Sequence, residues 1–348
     1  MNVEVMIATP LASDLVARIR REVPSAVVHY DAALLPPVRY ECDHRGVDDF
    51  VRTASQRQRW EAWLESAEVL FGVPGDTADA LRDTVRRCPQ LRWIQGTAAG
   101  VGDMLRRAGL DDDERARVQL TSAVGVHATQ LAEWAMLGLL ALTKDLPRLI
   151  EDRSRRAWRH YPVRELAGQH LVVVGFGQIG RLTADYARAL GMRVTGVRRR
   201  VGPGQDVEGD DVRPVSELPA LLATADAIVL ALPNTAATEG LIDRALLERL
   251  PPHALVVNVG RGSVLDEEAL VDLLSTGRLG GAALDVFATE PLPESSQLWQ
   301  LPNVIVSPHT AALSTRENER IVDVFIDNLH RFIAGRPLIN EVDPQHYY

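Results

Sequence analysis

The sequence predicts an α/β chain of two parallel-sheet domains, and three observations carry that expectation. Residues 3–121 alternate short β-branched runs with amphipathic helical stretches. The stretch Leu171-Val172-Val173-Val174-Gly175-Phe176-Gly177-Gln178-Ile179-Gly180 joins a strand buried on both faces to a glycine-rich turn and a helix. The alternation then resumes and runs to Ser307. Repeated strand–helix units give parallel sheets with helices on both faces, because each crossover must bury an apolar helix face.

Taken in order, residues 3–7 read as a strand, Ser13-Asp14 as the cap of a helix to Val23, and 27–30 as a second strand. Residues 34–59 break the rhythm with Pro36-Pro37, Arg39, Tyr40, Asp43 and His44, and read as a long loop. A helix over 60–66, a strand over 69–71, a helix over 77–87 and a strand over 91–94 follow. The small-residue loop Gln95-Gly96-Thr97-Ala98-Ala99-Gly100-Val101-Gly102 leads to a helix near Asp103 and a strand over 118–121. Residues 127–143 are helical and apolar around most of the circumference, which predicts burial in a core or against a second copy, hence a homodimer. A surface helix over 149–158 precedes the glycine stretch. Beyond the helix at 178–190, strands are expected over 193–197, 212–215, 226–230, 254–259, 281–287 and 304–307. Asp266 caps a helix that Gly277 ends, and one long helix spans 314–334.

Composition narrows the function. The chain has 348 residues, enough for two cores, with 46% hydrophobic and 24% charged residues. A net charge of −9 argues against nucleic acid and anionic membranes as partners. Cys42 and Cys88 are too few for a disulfide framework or a cysteine metal site, so no metal is expected. The first residues carry Glu4 and no basic segment, unlike a signal peptide, and the apolar run 131–142 is short of the roughly 20 residues of a membrane span. These features predict a cytoplasmic home.

The glycine spacing at Gly175, Gly177 and Gly180, between a strand and a helix, points to a dinucleotide: a tight turn, close backbone approach to a pyrophosphate, and close helix packing. Three reactive residues then fall at strand ends, where ligands of open α/β sheets sit: Arg261, Glu290 and His309. Singly they would be a solvated cation, a surface acid and a structural imidazole. Together they suit hydride transfer to a carbonyl beside a carboxylate. The guanidinium matches a carboxylate, the imidazole donates a proton, and Glu290 orients the imidazole and favours its protonated form. The basic run Val197-Arg198-Arg199-Arg200 stands where an acidic residue would bind a ribose hydroxyl, so NADP is favoured over NAD.

With those residues in view, the sequence resembles the D-isomer-specific 2-hydroxyacid dehydrogenases, in particular NADP-preferring glyoxylate/hydroxypyruvate reductases. The matching stretches are 175–180, Val257-Asn258-Val259-Gly260-Arg261-Gly262-Ser263, Ala283-Leu284-Asp285-Val286-Phe287, Glu290-Pro291-Leu292-Pro293 and Ser307-Pro308-His309-Thr310-Ala311. The resemblance implies a discontinuous, flavodoxin-like substrate-binding domain (1–121 with 312–348), a Rossmann-like dinucleotide domain (122–311) and a cleft between them. It implies Arg261, Glu290 and His309 as the catalytic set, with Ala99, Gly100 and Arg261 on the substrate carboxylate. It also implies cofactor contacts at Gly175, Gly177, Gln178, Ile179, Gly180, Arg198, Arg199, Leu232, Pro233, Val259, Gly260, Asp285, His309 and Ala311, with Asp285 holding the nicotinamide amide. The substrate would be a small 2-keto acid or D-2-hydroxy acid. Thr121-Ser122 stands where many members carry Thr-Asn, which puts a hydrogen bond near the hinge in doubt. The alternative is a non-enzymatic, dinucleotide-sensing regulator of the corepressor type.

Overall fold

The computed structural model describes residues 2–199 and 211–343. Arg200 of the expected basic run, and the ends of the expected domain ranges (Met1 and 344–348), lie outside the described residues. The chain divides into two compact units, Met1–His127 with Leu313–Tyr348, and Ala128–Ala312.

The first unit holds five parallel strands: β1 Val3–Ile7, β2 Ala26–His29, β3 Val69–Phe71, β4 Trp93–Gln95 and β5 Gln119–Thr121, in the order β2-β1-β3-β4-β5. This is the flavodoxin-like order. The two-residue period of a strand sends Met6, Leu70, Ile94 and Leu120 to one face, and Val5, Ile7, Val69, Phe71 and Trp93 to the other. The second face is covered by the helix Glu317–Ile333, whose Ile321, Val322, Phe325, Ile326 and Leu329 form one apolar stripe. Phe325 stacks on Trp93 at 5.2 Å between ring centroids and meets Phe71 edge-on at 5.1 Å. Burying such a ring contributes about 1.5–3 kcal/mol, which is why the end of the chain returns to the first unit.

Several elements differ from expectation. The helix expected over 60–66 begins at Ala54, because Thr53 and Gln56 form a reciprocal cap: the Gln56 amide donates to Thr53 Oγ1 at 3.3 Å and the Thr53 amide to Gln56 Oε1 at 2.9 Å. The rest of the 34–59 loop is pinned by Asp43, 2% exposed, which accepts from the Arg39 backbone and guanidinium at 2.8–2.9 Å. The Arg39 hydrogen bonds hold its carboxyl well below the usual range. Helix Ser13–Glu22 is preceded by Ala12 with no side-chain cap, so Ser13-Asp14 lie inside it and Asp14 acts only on the helix dipole. An additional short helix, Asp112–Arg117, has its own Asp111/Glu114 capping box. The division between units falls at His127/Ala128, six residues past the expected boundary. Ala123 and Val126 pack in the core with Phe325, and the Ser122 amide donates to the Asn340 carbonyl at 2.9 Å.

The second unit holds seven parallel strands: β6 His170–Val174, β7 Arg193–Arg198, β8 Asp211–Pro214, β9 Ala227–Leu230, β10 Leu255–Asn258, β11 Gly281–Leu284 and β12 Val304–Val306. Their order is β12-β11-β10-β9-β6-β7-β8, a doubly wound sheet whose connections reverse between β6 and β9. Helix Ala128–Thr143 lies close on this sheet: a methyl at Gly138 would sit 2.6 Å from the Ala283 Cβ. It buries Leu131, Ala135, Met136 and Leu139 but leaves Leu137 and Leu140 exposed. The next helix, Leu146–Ser154, exposes Leu149 and Ile150, and Trp158 beyond it is 90% exposed. Among the described residues no helix is long and apolar enough to cross a membrane.

Candidate active site

The glycine turn sits at the carboxyl end of β6, beside the reversal point of the sheet. Gly175 has φ +101, a region open to glycine, and a side chain there would strike the Ala231 carbonyl oxygen at 2.6 Å. Gly177 precedes helix Gln178–Ala189 without a side-chain cap, and nothing lies within 4 Å of where its Cβ would be. Gly180 packs directly on the Gly175 carbonyl. Gly177 and Gln178 are exposed and Ile179 is partly buried, and the first turn of the helix has no side-chain cap, an arrangement in which first-turn N–H groups can take an anion. Phe176 is buried over Gly196 of β7, and its carbonyl accepts from Arg198 Nε at 3.0 Å. Arg198 is half-buried and Arg199 exposed, at the end of β7. Leu232 and Pro233 follow β9. Gly260 lies against Leu232, where a Cβ would be 2.6 Å from the Leu232 carbonyl oxygen, and Val259 beside it is buried.

Arg261 follows β10 on a turn fixed by fully buried Asn258, whose Oδ1 accepts from the Gly260 amide at 3.0 Å and whose Nδ2 donates to the Arg261 carbonyl at 3.1 Å. Gly262 then abuts the Phe287 carbonyl so closely that no side chain fits. Phe287 in turn donates its amide to Glu290 Oε1 at 3.0 Å. The turn carrying Arg261 and the turn carrying Glu290 are thus packed backbone to backbone.

His309 Nδ1 lies 2.7 Å from Glu290 Oε2. This pairing leaves Nε2 as the imidazole's outward edge, on side chains that are both partly exposed. His309 has φ 51, a left-handed conformation that costs about 1–3 kcal/mol for a non-glycine residue. Asp285 holds it there. Its Oδ1 accepts from Ser307 Oγ at 2.6 Å, the Thr310 amide at 2.9 Å and the Ala311 amide at 3.0 Å, and its carbonyl accepts from the His309 amide at 2.9 Å. Asp285 is 1% exposed and Ala311 6%. The structure thus gives Asp285 a role that the sequence did not show, as the anchor of the His309 loop.

Ala99 and Gly100 lie in the first unit, exposed, at the start of helix Val101–Ala108. Ser122 Oγ finds the Asn340 carbonyl at 3.4 Å, and Asn340 Nδ2 donates to the Val124 carbonyl at 2.7 Å, so an asparagine amide from the chain's end serves this segment.

The first unit also holds a group invisible to sequence reading. Glu317, 4% exposed, receives His127 Nε2 at 3.2 Å and has His44 Nε2 at 3.8 Å, joining the 34–59 segment to the last helix. Burial raises the Glu317 carboxyl, but the facing imidazoles of His127 and His44 outweigh it and hold it down at about 2. A depressed carboxyl contributes stability fully above its ordinary value near 4.5, and this is lost as pH falls towards 2. Glu317→Gln is therefore expected to lower stability by up to about 3 kcal/mol at pH 6, with the difference from wild type shrinking below pH 4. Urea midpoints of both proteins at pH 6, 4 and 3 measure this, and a gap that does not narrow refutes it. No group of three His, Cys, Asp or Glu side chains able to hold a metal occurs among the described residues.

The family model for the NAD binding domain of D-isomer specific 2-hydroxyacid dehydrogenases matches residues 136–311. The chain belongs to that family and is an NAD(P)-dependent oxidoreductase of it. It is 33% identical over 265 residues to a hydroxypyruvate reductase of Blautia hydrogenotrophica, covering 74% of this chain and 80% of that protein. A D-isomer specific 2-hydroxyacid dehydrogenase family protein from Aeromonas salmonicida superposes with a TM-score of 0.78 at 29% identity, over 99% of this chain and 100% of that one. An NADPH-dependent glyoxylate/hydroxypyruvate reductase from Sinorhizobium meliloti, in complex with NADP and sulfate, superposes with a TM-score of 0.77 at 26% identity over the whole of both chains.

Proposed function

We propose that this enzyme interconverts small 2-keto acids and D-2-hydroxy acids, acting on glyoxylate, hydroxypyruvate or a related keto acid, with NADPH preferred over NADH. The observation that carries the reading is the Glu290–His309 couple, held at 2.7 Å on a turn that Asp285 fixes. The glycine turn fits a dinucleotide: the backbone at Gly177 is open and the helix behind it is uncapped. Bound there, the nicotinamide supplies the hydride. Gly175, Gly177, Gln178, Ile179 and Gly180 hold the pyrophosphate, and Leu232, Pro233, Val259, Gly260, Asp285, His309 and Ala311 line the approach to the nicotinamide. Arg261 binds the substrate carboxylate and carbonyl, helped by the backbone at Ala99 and Gly100. His309 gives its Nε2 proton to the carbonyl oxygen, and Glu290 orients the ring and balances its charge. The segment 1–121 with 312–348 serves as substrate domain. The regulator alternative is not favoured, since the named relatives are dehydrogenases and reductases. A keto-acid panel assayed with NADPH and NADH in parallel tests the reading, and no turnover with any 2-keto acid overturns it.

The NADPH preference rests on Arg198 and Arg199 at the end of β7, where a 2′-phosphate would lie; solved relatives at 26% identity contain NADPH or NADP. Arg199→Asp, which leaves the Arg198–Phe176 bond intact, should shift the NADPH/NADH ratio of kcat/KM by about tenfold, the equivalent of ~1.4 kcal/mol. Arg198→Asp should shift it further. A wild type that already prefers NADH contradicts the assignment.

A cytoplasmic homodimer is the proposed state of the enzyme. The exposed Leu137, Leu140, Leu149, Ile150 and Trp158 of the second unit supply an apolar face for the second copy. Sedimentation at micromolar concentration should give twice the chain mass, with Leu137→Glu shifting it towards one.

A further inference from the structure

A cavity of about 380 Å³ in the first unit is lined by Phe50, Arg52, Arg57, Trp60, Glu61, Leu64 and Arg87. It lies at the start of helix Ala54–Ser66 and beside the last turn of helix Ala78–Arg87. The volume is that of a small-molecule site. Three guanidiniums meet a single carboxylate there, a local reversal in a chain of net charge −9.

Arg52 is held in place before any ligand arrives. Its Nε donates to the Leu34 carbonyl at 2.8 Å, and its guanidinium carbon lies 3.9 Å from the centroid of the Trp60 ring and 5.4 Å from that of Phe50. Trp60 is 8% exposed, so this platform is part of the core. A clamped guanidinium fork loses little further freedom on taking up an oxyanion. Arg87 has Glu61 at 3.4 Å. Arg52 and Arg57 have no acidic partner within ion-pair distance among the described residues. Burial, then the charge of Arg57, disfavours the Arg52 cation, a repulsion that an anion between the two would relieve. A second arginine-bearing cavity differs on this point: its Arg117 is bonded to the carbonyls of Val85, Cys88 and Leu91, and its Arg115 to Asp112.

We propose that the Arg52–Arg57 cavity binds a small organic dianion, a dicarboxylate, with its charged ends on the two guanidiniums and its carbon frame against Trp60 and Leu64. The uncompensated charge of two arginines sets the valence. The indole and leucine wall favours an organic frame over a bare inorganic ion. Its lining residues belong to the first unit and the proposed catalytic residues to the second, and the site does not depend on the reaction assigned to those.

Calorimetric titration of the whole enzyme with succinate, acetate and inorganic phosphate tests this. Succinate should bind at low ionic strength, at least tenfold more tightly than acetate or phosphate, and weaken as salt is raised. Arg57→Gln, an exposed change that removes no bond to a described side chain, should weaken succinate about tenfold. Arg52→Met, which keeps a long side chain on Trp60, should weaken it at least as much. Arg261→Ala should leave it unchanged, which separates this cavity from the carboxylate site proposed for the keto acid. Succinate binding that survives Arg57→Gln and Arg52→Met, or disappears in Arg261→Ala, overturns the proposal. So does phosphate or acetate binding as tightly as succinate.

Discussion

His309→Ala is expected to lower turnover by about two to four powers of ten, the usual worth of a positioned general acid, in a protein that still binds NADPH when followed by its fluorescence. The reason is geometric. With Nδ1 engaged by Glu290 at 2.7 Å, the proton on Nε2 is the one available to a carbonyl oxygen that is gaining negative charge. The loop that presents it is fixed by three hydrogen bonds to Asp285 Oδ1, so the ring costs little to align at the moment of reaction. Alanine at 309 leaves those three bonds, from the Ser307 hydroxyl and the Thr310 and Ala311 amides, in place and removes only the acid. Glu290→Gln should lose part of the same factor, because an amide keeps a contact to Nδ1 but cannot balance an imidazolium. If His309 served only to pack beneath the cofactor, His309→Asn would retain most of the activity. That single result would falsify the acid/base assignment.

Arg261→Ala should cost about 3 kcal/mol in kcat/KM, roughly two powers of ten, because it deletes a charged hydrogen-bond donor from a site that must neutralise a carboxylate and a developing oxyanion. The loss should appear in both KM and kcat, since the guanidinium would contact the carboxylate in the ground state and the carbonyl oxygen as charge builds. Arg261→Lys should recover only a fraction, because an ammonium lacks the planar fork. The Arg261 side chain adds one bond to its own turn, from Nη1 to the Gly260 carbonyl at 2.7 Å, but Asn258 still bonds the Gly260 amide and the residue 261 carbonyl, and Gly262 still packs on Phe287, when that side chain is removed. The variant should therefore fold and melt like the wild type. Near-normal kcat/KM in a well-folded Arg261→Ala protein removes this residue from the mechanism.

How far these roles could be read from the chain depends on sequence distance. The strand Leu171–Val174 and its three glycines are local; Gly175 and Gly180 have a steric reason within the chain, while Gly177 faces open space. Glu290 and His309 are separated by only 19 residues and lie at the ends of successive strands, so a sheet of the expected order brings them to one edge. The function of Asp285 as anchor of the 307–311 turn was not readable, because nothing in the sequence couples a carboxylate to amides some 25 residues away. His44, His127 and Glu317 are further apart still, and polar groups that meet only after the last helix has docked leave no periodic signal. The missed start of helix Ala54–Ser66 is a different case. Thr53 and Gln56 carry a readable cap, but the polar run around them concealed it.

The return of helix Glu317–Ile333 to the first unit has a consequence for the order of synthesis. The second unit, Ala128–Ala312, is one uninterrupted segment and holds all its strands by the time it has left the ribosome. The first unit does not. Its strands emerge early, yet the face formed by Val5, Ile7, Val69, Phe71 and Trp93 has only Leu15, Val16 and Ile19 of helix Ser13–Glu22 as cover, and the rest of its apolar partners wait until residue 333 follows. At about 5–20 residues per second, that apolar face waits on the order of ten seconds or more while the whole intervening domain is made. The nascent chain thus completes its later-made half first, and in the meantime its earlier half offers the kind of surface that chaperones capture.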